Sequence, residues 1–146
     1  HIDNYVKQLL NHKEETNYYI TQSWLSITKP GESHHGHNHP NSIISGVFYV
    51  QTVEDDTITF YDTAAAWKER LVIQTTEYNH WNSASWFLPV ENNVLILFPS
   101  WLEHSVEPDA VAASSTNRIS LSFNVFVSNI ICPFICPIKD NNSREM

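Results

Sequence analysis

Four of the eight histidines in this 146-residue chain fall within six positions, at His34, His35, His37 and His39. Neutral imidazole is the commonest side-chain metal ligand. On an extended strand, residues i and i+2 share a face about 7 Å apart at Cα, so two imidazoles at that spacing can converge on one ion. His35, His37 and His39 share that parity, whereas His34 points the other way on an extended strand unless Gly36 breaks the alternation. The same segment can also be a solvated loop that chelates weakly, so the reading depends on what the rest of the chain supplies.

Two later segments supply more. Val94 to Phe98 is a strongly apolar strand, followed by a Pro99-Ser100 turn and then by His104-Ser105-Val106. Fourteen residues beyond His104, Arg118, Ser120, Ser122 and Asn124 alternate with Ile119, Leu121, Phe123 and Val125. A polar stripe led by arginine between apolar neighbours suggests a polar cavity, because a buried guanidinium needs an anionic partner. Its planar fork fits a carboxylate bidentately, and Ser120 adds a hydroxyl on the same face. The alternative is an edge strand whose polar face meets water.

The elements that must position these groups are mostly strands. Ile2, Tyr5, Val6, Leu9 and Leu10 fall at i, i+3, i+4, i+7 and i+8, which marks one N-terminal amphipathic helix, with polar Asn11 to Asn17 after it. From there the chain reads as eight short runs rich in β-branched and aromatic residues, separated by polar turns such as Glu54-Asp55-Asp56 and Glu91-Asn92-Asn93. The runs are Tyr18 to Lys29, Ile43 to Gln51, Thr57 to Tyr61, Leu71 to Thr75, Trp86 to Leu88, Val94 to Phe98, His104 to Glu107 and Asn117 to Val127. Eight strands without intervening helices predict a mainly β fold, an antiparallel double-sheet jelly roll. Only three glycines are present, and the 14 asparagines are expected to take left-handed turn positions in their place. Residues 1–128 are expected to form one domain and 129–146 a C-terminal tail. Trp67 to Leu71 reads as a connecting turn or short helix. Trp24, Tyr49, Phe60 and Trp101 are read as core aromatics in the main, with a pocket-lining role as the alternative.

Composition removes several function classes. Sixteen Asp+Glu against eight Lys+Arg give a net charge of −8, and no basic cluster offsets it, so binding to a nucleic-acid backbone or an anionic membrane surface is disfavoured. The longest uncharged apolar stretch, Ile130 to Ile138, contains two prolines and falls short of the roughly 20 residues of a spanning helix. Cys132 and Cys136 are one residue too far apart for a redox Cys-x-x-Cys pair, and two cysteines alone do not make a zinc site, so they read as plain thiols. A reducing cytoplasm is the expected location, as no basic-then-apolar leader pattern precedes the first helix. A small-molecule or peptidyl substrate and a homodimer are the expected partners.

The order of these blocks carries a resemblance. Lys29-Pro30-Gly31, His37-Asn38-His39-Pro40-Asn41-Ser42, Ser45-Gly46-Val47-Phe48-Tyr49-Val50, Phe98-Pro99-Ser100-Trp101-Leu102-Glu103-His104-Ser105-Val106 and Arg118-Ile119-Ser120-Leu121-Ser122-Phe123-Asn124 resemble a small 2-oxoglutarate-Fe(II) oxygenase family of marine bacteria and phages. The resemblance spans about Ser23 to Val127 and implies a cupin-like double-stranded β-helix. It implies Fe(II) and 2-oxoglutarate as cofactors of a dioxygenase that hydroxylates its substrate. Carried over by position, His37 matches the first metal ligand, His39 the place usually held by Asp or Glu, and His104 the distal ligand. Arg118, helped by Ser120, matches the anchor of the distal carboxylate of 2-oxoglutarate. The departure is His39, since the usual triad is two histidines and one carboxylate. Glu32, a water or His35 are the alternatives for the third ligand. Two rival functions stay open: a three-histidine dioxygenase or isomerase that does not use 2-oxoglutarate, and a non-enzymatic β-sandwich binding module.

Overall fold

The computed structural model describes residues 2–11, 16–63, 75–107 and 116–128. Most of the run at Leu71 to Thr75, the connection at Trp67 to Leu71 and the tail with Cys132 and Cys136 lie outside them. The elements are α1 (Ile2–Leu10), β1 (Asn17–Thr28), β2 (His34–His37), β3 (Ile44–Gln51), β4 (Thr57–Tyr61), β5 (Ser85–Pro89), β6 (Leu95–Pro99), β7 (Glu103–Val106) and β8 (Arg118–Ser128). Seven of these strands match expected runs. The eighth, β2, is the histidine segment itself, which its composition did not mark as a strand.

Two four-stranded antiparallel sheets result, ordered β1-β8-β3-β6 and β2-β7-β4-β5. The chain changes sheet at every connection except β4–β5, so that β8 lies between β1 and β3 while β7 lies between β2 and β4. This is jelly-roll connectivity. Facing side chains of the two sheets form one core of Val47, Tyr49, Ile58, Val90 and Phe98, with Phe60, Ile96 and Leu102 packed against it. Each fully buried Val, Ile or Phe side chain contributes roughly 1.5–3 kcal/mol.

Helix α1 covers the outer face of the first sheet. Asp3 in its first turn and Lys7 in its last complement the helix dipole. It stops at Asn11, whose left-handed φ of 43° lets its N–H bond to the Lys7 carbonyl. Its apolar stripe buries Val6 fully against Ile44, Phe123 and Val125. Gly46 makes room for that packing: a Cβ there would meet the Phe123 ring at 2.3 Å. Asn41 and Asn93 also take left-handed turn positions, with Asp55, as the asparagine-rich composition predicts. Among the described residues no helix is long and apolar enough to cross a membrane.

The β8 ladder settles where the polar stripe faces. Thr28 and Arg118 are paired, as are Ser26 and Ser120, Trp24 and Ser122, and Ser45 and Asn124. Strand β8 is central rather than an edge, and Arg118, Ser120, Ser122 and Asn124 are all buried. The water-facing alternative for this stripe is therefore wrong; it points into the space between the sheets.

Candidate functional site

In the second sheet, His37 of β2 and His104 of β7 are directly opposite each other. His39 follows two residues after β2, where its N–H donates to the Ser100 carbonyl at 2.9 Å and pins the turn to the end of β6. One ligand nitrogen from each of His37, His39 and His104 lies within 4.8 Å of the others. The donor chemistry of the set is fixed by its hydrogen bonds. His37 Nδ1 sits 2.8 Å from the His35 carbonyl and His104 Nδ1 3.1 Å from the Leu102 carbonyl. A carbonyl only accepts, so both rings carry their proton on Nδ1 and keep the Nε2 lone pair. His39 Nδ1 donates to Asn124 Oδ1 at 2.6 Å. Behind that pair, the Ser45 hydroxyl donates to the same amide oxygen at 2.9 Å and contacts Ser100 Oγ, which meets Ser42 Oγ at 2.7 Å. All three imidazoles are thus oriented by neutral acceptors, the arrangement that presents neutral nitrogen ligands to a metal.

Burial reinforces neutrality. Desolvation pushes the His104 imidazole down to about 4, the nearby charges of His37, His39 and His34 adding to the effect and the Leu102 carbonyl opposing it. Desolvation also lowers His39, against the Asn124 hydrogen bond. A depressed folded pKa stabilises the protein above the unfolded value near 6.5, and that contribution is lost as pH falls toward the folded value. In metal-free protein, urea unfolding of wild type relative to His104→Gln should therefore lose on the order of 3 kcal/mol between about pH 7 and pH 4. The comparison with the variant is needed because Asp56, raised by burial, tilts the opposite way. A pH-independent difference between the two proteins would refute the assignment.

The three histidines open inward onto a cavity of about 60 Å³ whose far end holds Arg118, Ser120 and His34. A wider cleft of about 580 Å³ leads outward from His37 and His39 past Trp24, Gln22 and Asn124. Arg118 Nε lies 3.1 Å from Asp56 Oδ2, with both side chains buried. The pair is held by charge rather than by a straight hydrogen bond, since neither end satisfies hydrogen-bond geometry. The guanidinium also stacks over the Tyr49 ring, 5.0 Å from its centroid.

The structure brings His37, His39, His104, Arg118 and Ser120 to one cavity. His35 is exposed, and Glu32 instead accepts from the Lys29 N–H at 2.8 Å. Of the four aromatics, Trp24 borders the cavity with its ring 5.6 Å from His39, Phe60 packs on Phe98 and His104, Tyr49 is core, and Trp101 is 66% exposed. Asp56 and His34 were not singled out as site residues. Asp56 looked like one acid of a polar turn, and the alternation rule turned His34 away. The β2–β7 register slips between His34 and His37, so both face inward. Gly36 sits at that slip, close under Glu103.

A family model described as "Putative 2OG-Fe(II) oxygenase" matches residues 22–124. No curated protein matches the chain. Among solved structures, the chain is similar to an oxidoreductase of the 2OG-Fe(II) oxygenase family from Burkholderia pseudomallei, at 12% identity and a TM-score of 0.56, covering 76% of this chain and 46% of that one. It is also similar to the non-heme monooxygenase ThoJ in its nickel complex, at 11% identity and a TM-score of 0.50, with the same two coverages. A cupin domain from Bordetella pertussis aligns at 13% identity and a TM-score of 0.44, over 76% of this chain and 93% of that one. The chain spans just under half the length of the two oxygenase structures, and at these identities the likeness speaks for the fold.

Proposed function

The chain belongs to this 2OG-Fe(II) oxygenase family, and from that premise we propose that His37, His39 and His104 hold Fe(II) while Arg118 and Ser120 take the distal carboxylate of 2-oxoglutarate. One observation carries the reading: three imidazoles with free Nε2 lone pairs and a buried guanidinium line the two ends of a single cavity. The donor set fits the metal, since imidazole nitrogen suits iron and three ligands leave positions open. When bound, these cofactors would supply oxidative decarboxylation of 2-oxoglutarate by dioxygen to succinate and CO2, with the second oxygen atom going into a substrate C–H bond as a hydroxyl.

The chain's own part is orientation and exclusion of water. The neutral acceptors on each Nδ1 hold the ring planes, which limits the reorganisation needed when a cation arrives. Val47, Ile58 and Val106 wall the inner cavity with apolar surface, which strengthens the electrostatic grip of Arg118 on an anion. The outer cleft past Trp24 gives a substrate access to the His37 and His39 side of the site. With a net charge of −8 and no basic cluster, a small-molecule or peptidyl substrate fits better than a nucleic-acid backbone. The need to keep iron ferrous favours the reducing cytoplasm as its location.

Titrating the anaerobic Fe(II) protein with 2-oxoglutarate should produce a visible charge-transfer band. Arg118→Ala should weaken the apparent affinity by about 10- to 100-fold, the cost of a lost charge-assisted hydrogen-bonded anchor. A second reading is favoured by one feature: His39 stands where a carboxylate is usual, so all three donors are neutral. A three-histidine dioxygenase or isomerase that dispenses with 2-oxoglutarate would show no band and no effect of Arg118→Ala.

A further inference from the structure

We propose that His34 is a further cosubstrate-binding residue, a second hydrogen-bond donor beside Arg118 that recognises the distal carboxylate of a 2-oxo dicarboxylic acid. The proposal rests on the reading of Arg118 as the carboxylate anchor and adds what makes that end of the cavity selective.

The geometry begins with the slip in β2. His34 is paired with Val106 of β7, and the irregularity before His37 turns both histidines inward instead of one in and one out. His34 therefore lines the same cavity as Arg118, Ser120 and the three convergent imidazoles. Its Nε2 lies 3.0 Å from Thr28 Oγ1, and Thr28 is the ladder partner of Arg118. Thr28 is 3% exposed, so one partner of the contact that holds the ring is buried, while both residues also border an outer cleft beside Gly31 and Glu32. A hydroxyl can donate as well as accept, so a carboxylate at this end of the cavity selects the tautomer in which Thr28 donates to Nε2 and the imidazole keeps its proton on Nδ1 as a donor. Desolvation first, and the Arg118 charge second, lower its pKa and favour that neutral form.

The chemistry explains why a second donor is needed. The Arg118 charge is already offset by Asp56 at 3.1 Å. The pair carries little net charge, so attraction at long range is weak, and discrimination for an anion must come from short-range donors that converge on it. His34 comes from the second sheet and Arg118 and Ser120 from the first, so a carboxylate among them is gripped from both walls. His34 is three residues from the nearest of the convergent histidines and is not one of the group whose ligand atoms meet.

The test separates carboxylate recognition from metal binding and from packing. Zinc-loaded protein, redox-inert, is titrated calorimetrically with 2-oxoglutarate and with 2-oxopentanoate, which lacks the distal carboxylate. In His34→Ala the dissociation constant for 2-oxoglutarate should rise about 10-fold or more, the worth of one hydrogen bond to a charged group, while that for 2-oxopentanoate stays within about 2-fold. Metal content should remain near one ion per chain, and His34→Asn, which keeps a donor, should recover part of the loss. Equal weakening for both ligands, or no weakening for 2-oxoglutarate, overturns the proposal, as does loss of the metal. If wild type itself binds both acids equally, the anchoring role of Arg118 fails along with it, an outcome distinct from wild-type selectivity that survives in His34→Ala.

Discussion

His104→Ala should yield a folded protein that retains no stoichiometric metal, where wild type purified without an affinity tag holds close to one ion per chain. His104 is the most deeply buried member of the triad, 5% exposed, on a strand with a partner on each side, His37 and Phe60. Its ring packs against Phe98 at 4.7 Å and His37 at 4.4 Å between centroids, which holds its nitrogen toward the other two histidines. Disturbing an outer partner of a metal ligand typically costs 10- to 100-fold in affinity. Deleting a ligand outright should exceed that, more than about 100-fold, which empties the site at micromolar protein. A graded series makes the result specific. Asn124→Ala leaves three imidazoles but frees His39 Nδ1, and should fall in the range of about 10- to 100-fold. His104→Gln preserves more of the packed volume and should lose metal like the alanine variant. Elemental analysis of the dialysed proteins is the measurement. Retention of one ion by His104→Ala would return the histidines to the status of a loosely chelating loop.

Much of this site was legible in the chain because its signals are local. The His37 and His39 spacing, the His104 segment and the Arg118 stripe each lie within one strand or turn, where a period of two decides which side chains share a face. Seven of the eight apolar runs match strands of the two sheets for the same reason. What escaped is non-local or breaks the period. Asn124 was noticed as a stripe residue, but its grip on His39 spans 85 positions, and Ser45 and Ser100 joined that network only once β3, β6 and β8 were side by side. His34 was misdirected because a single register slip reverses the face of every residue beyond it. Strand β2 itself was invisible as a strand because histidine and glycine carry little β propensity; its ladder with β7 holds it extended.

Asp56→Asn should lower stability by about 3–5 kcal/mol at neutral pH, a large share of the 5–15 kcal/mol that holds a domain of this size together. Asp56 and Arg118 are 1% and 3% exposed, and Asn is nearly the same shape as Asp, so the substitution removes charge without leaving a hole. What remains is a guanidinium in a low-dielectric site without its anion, stacked on Tyr49. Burial pushes the Asp56 carboxyl up, and the Arg118 charge pulls it back. With its folded pKa raised, the carboxyl binds a proton more readily in the folded protein than in the unfolded chain, so the advantage of wild type over Asp56→Asn should widen as pH falls from the folded pKa toward the unfolded one. A neutral partner for the guanidinium removes the penalty at its source: in the Arg118→Met background, Asp56→Asn should cost much less, so that the double-mutant cycle shows strong coupling. If the cavity takes a dicarboxylate, the ligand's distal carboxylate becomes the missing counter-charge in Asp56→Asn. Saturating 2-oxoglutarate should then raise its urea midpoint by more than it raises that of wild type, through preferential binding to the folded state. An Asp56→Asn protein within about 0.5 kcal/mol of wild type at neutral pH would mean that the carboxyl is already protonated there. Restored stability in 2-oxoglutarate, but not in 2-oxopentanoate, would tie the structural ion pair to the same carboxylate site that His34 and Ser120 line.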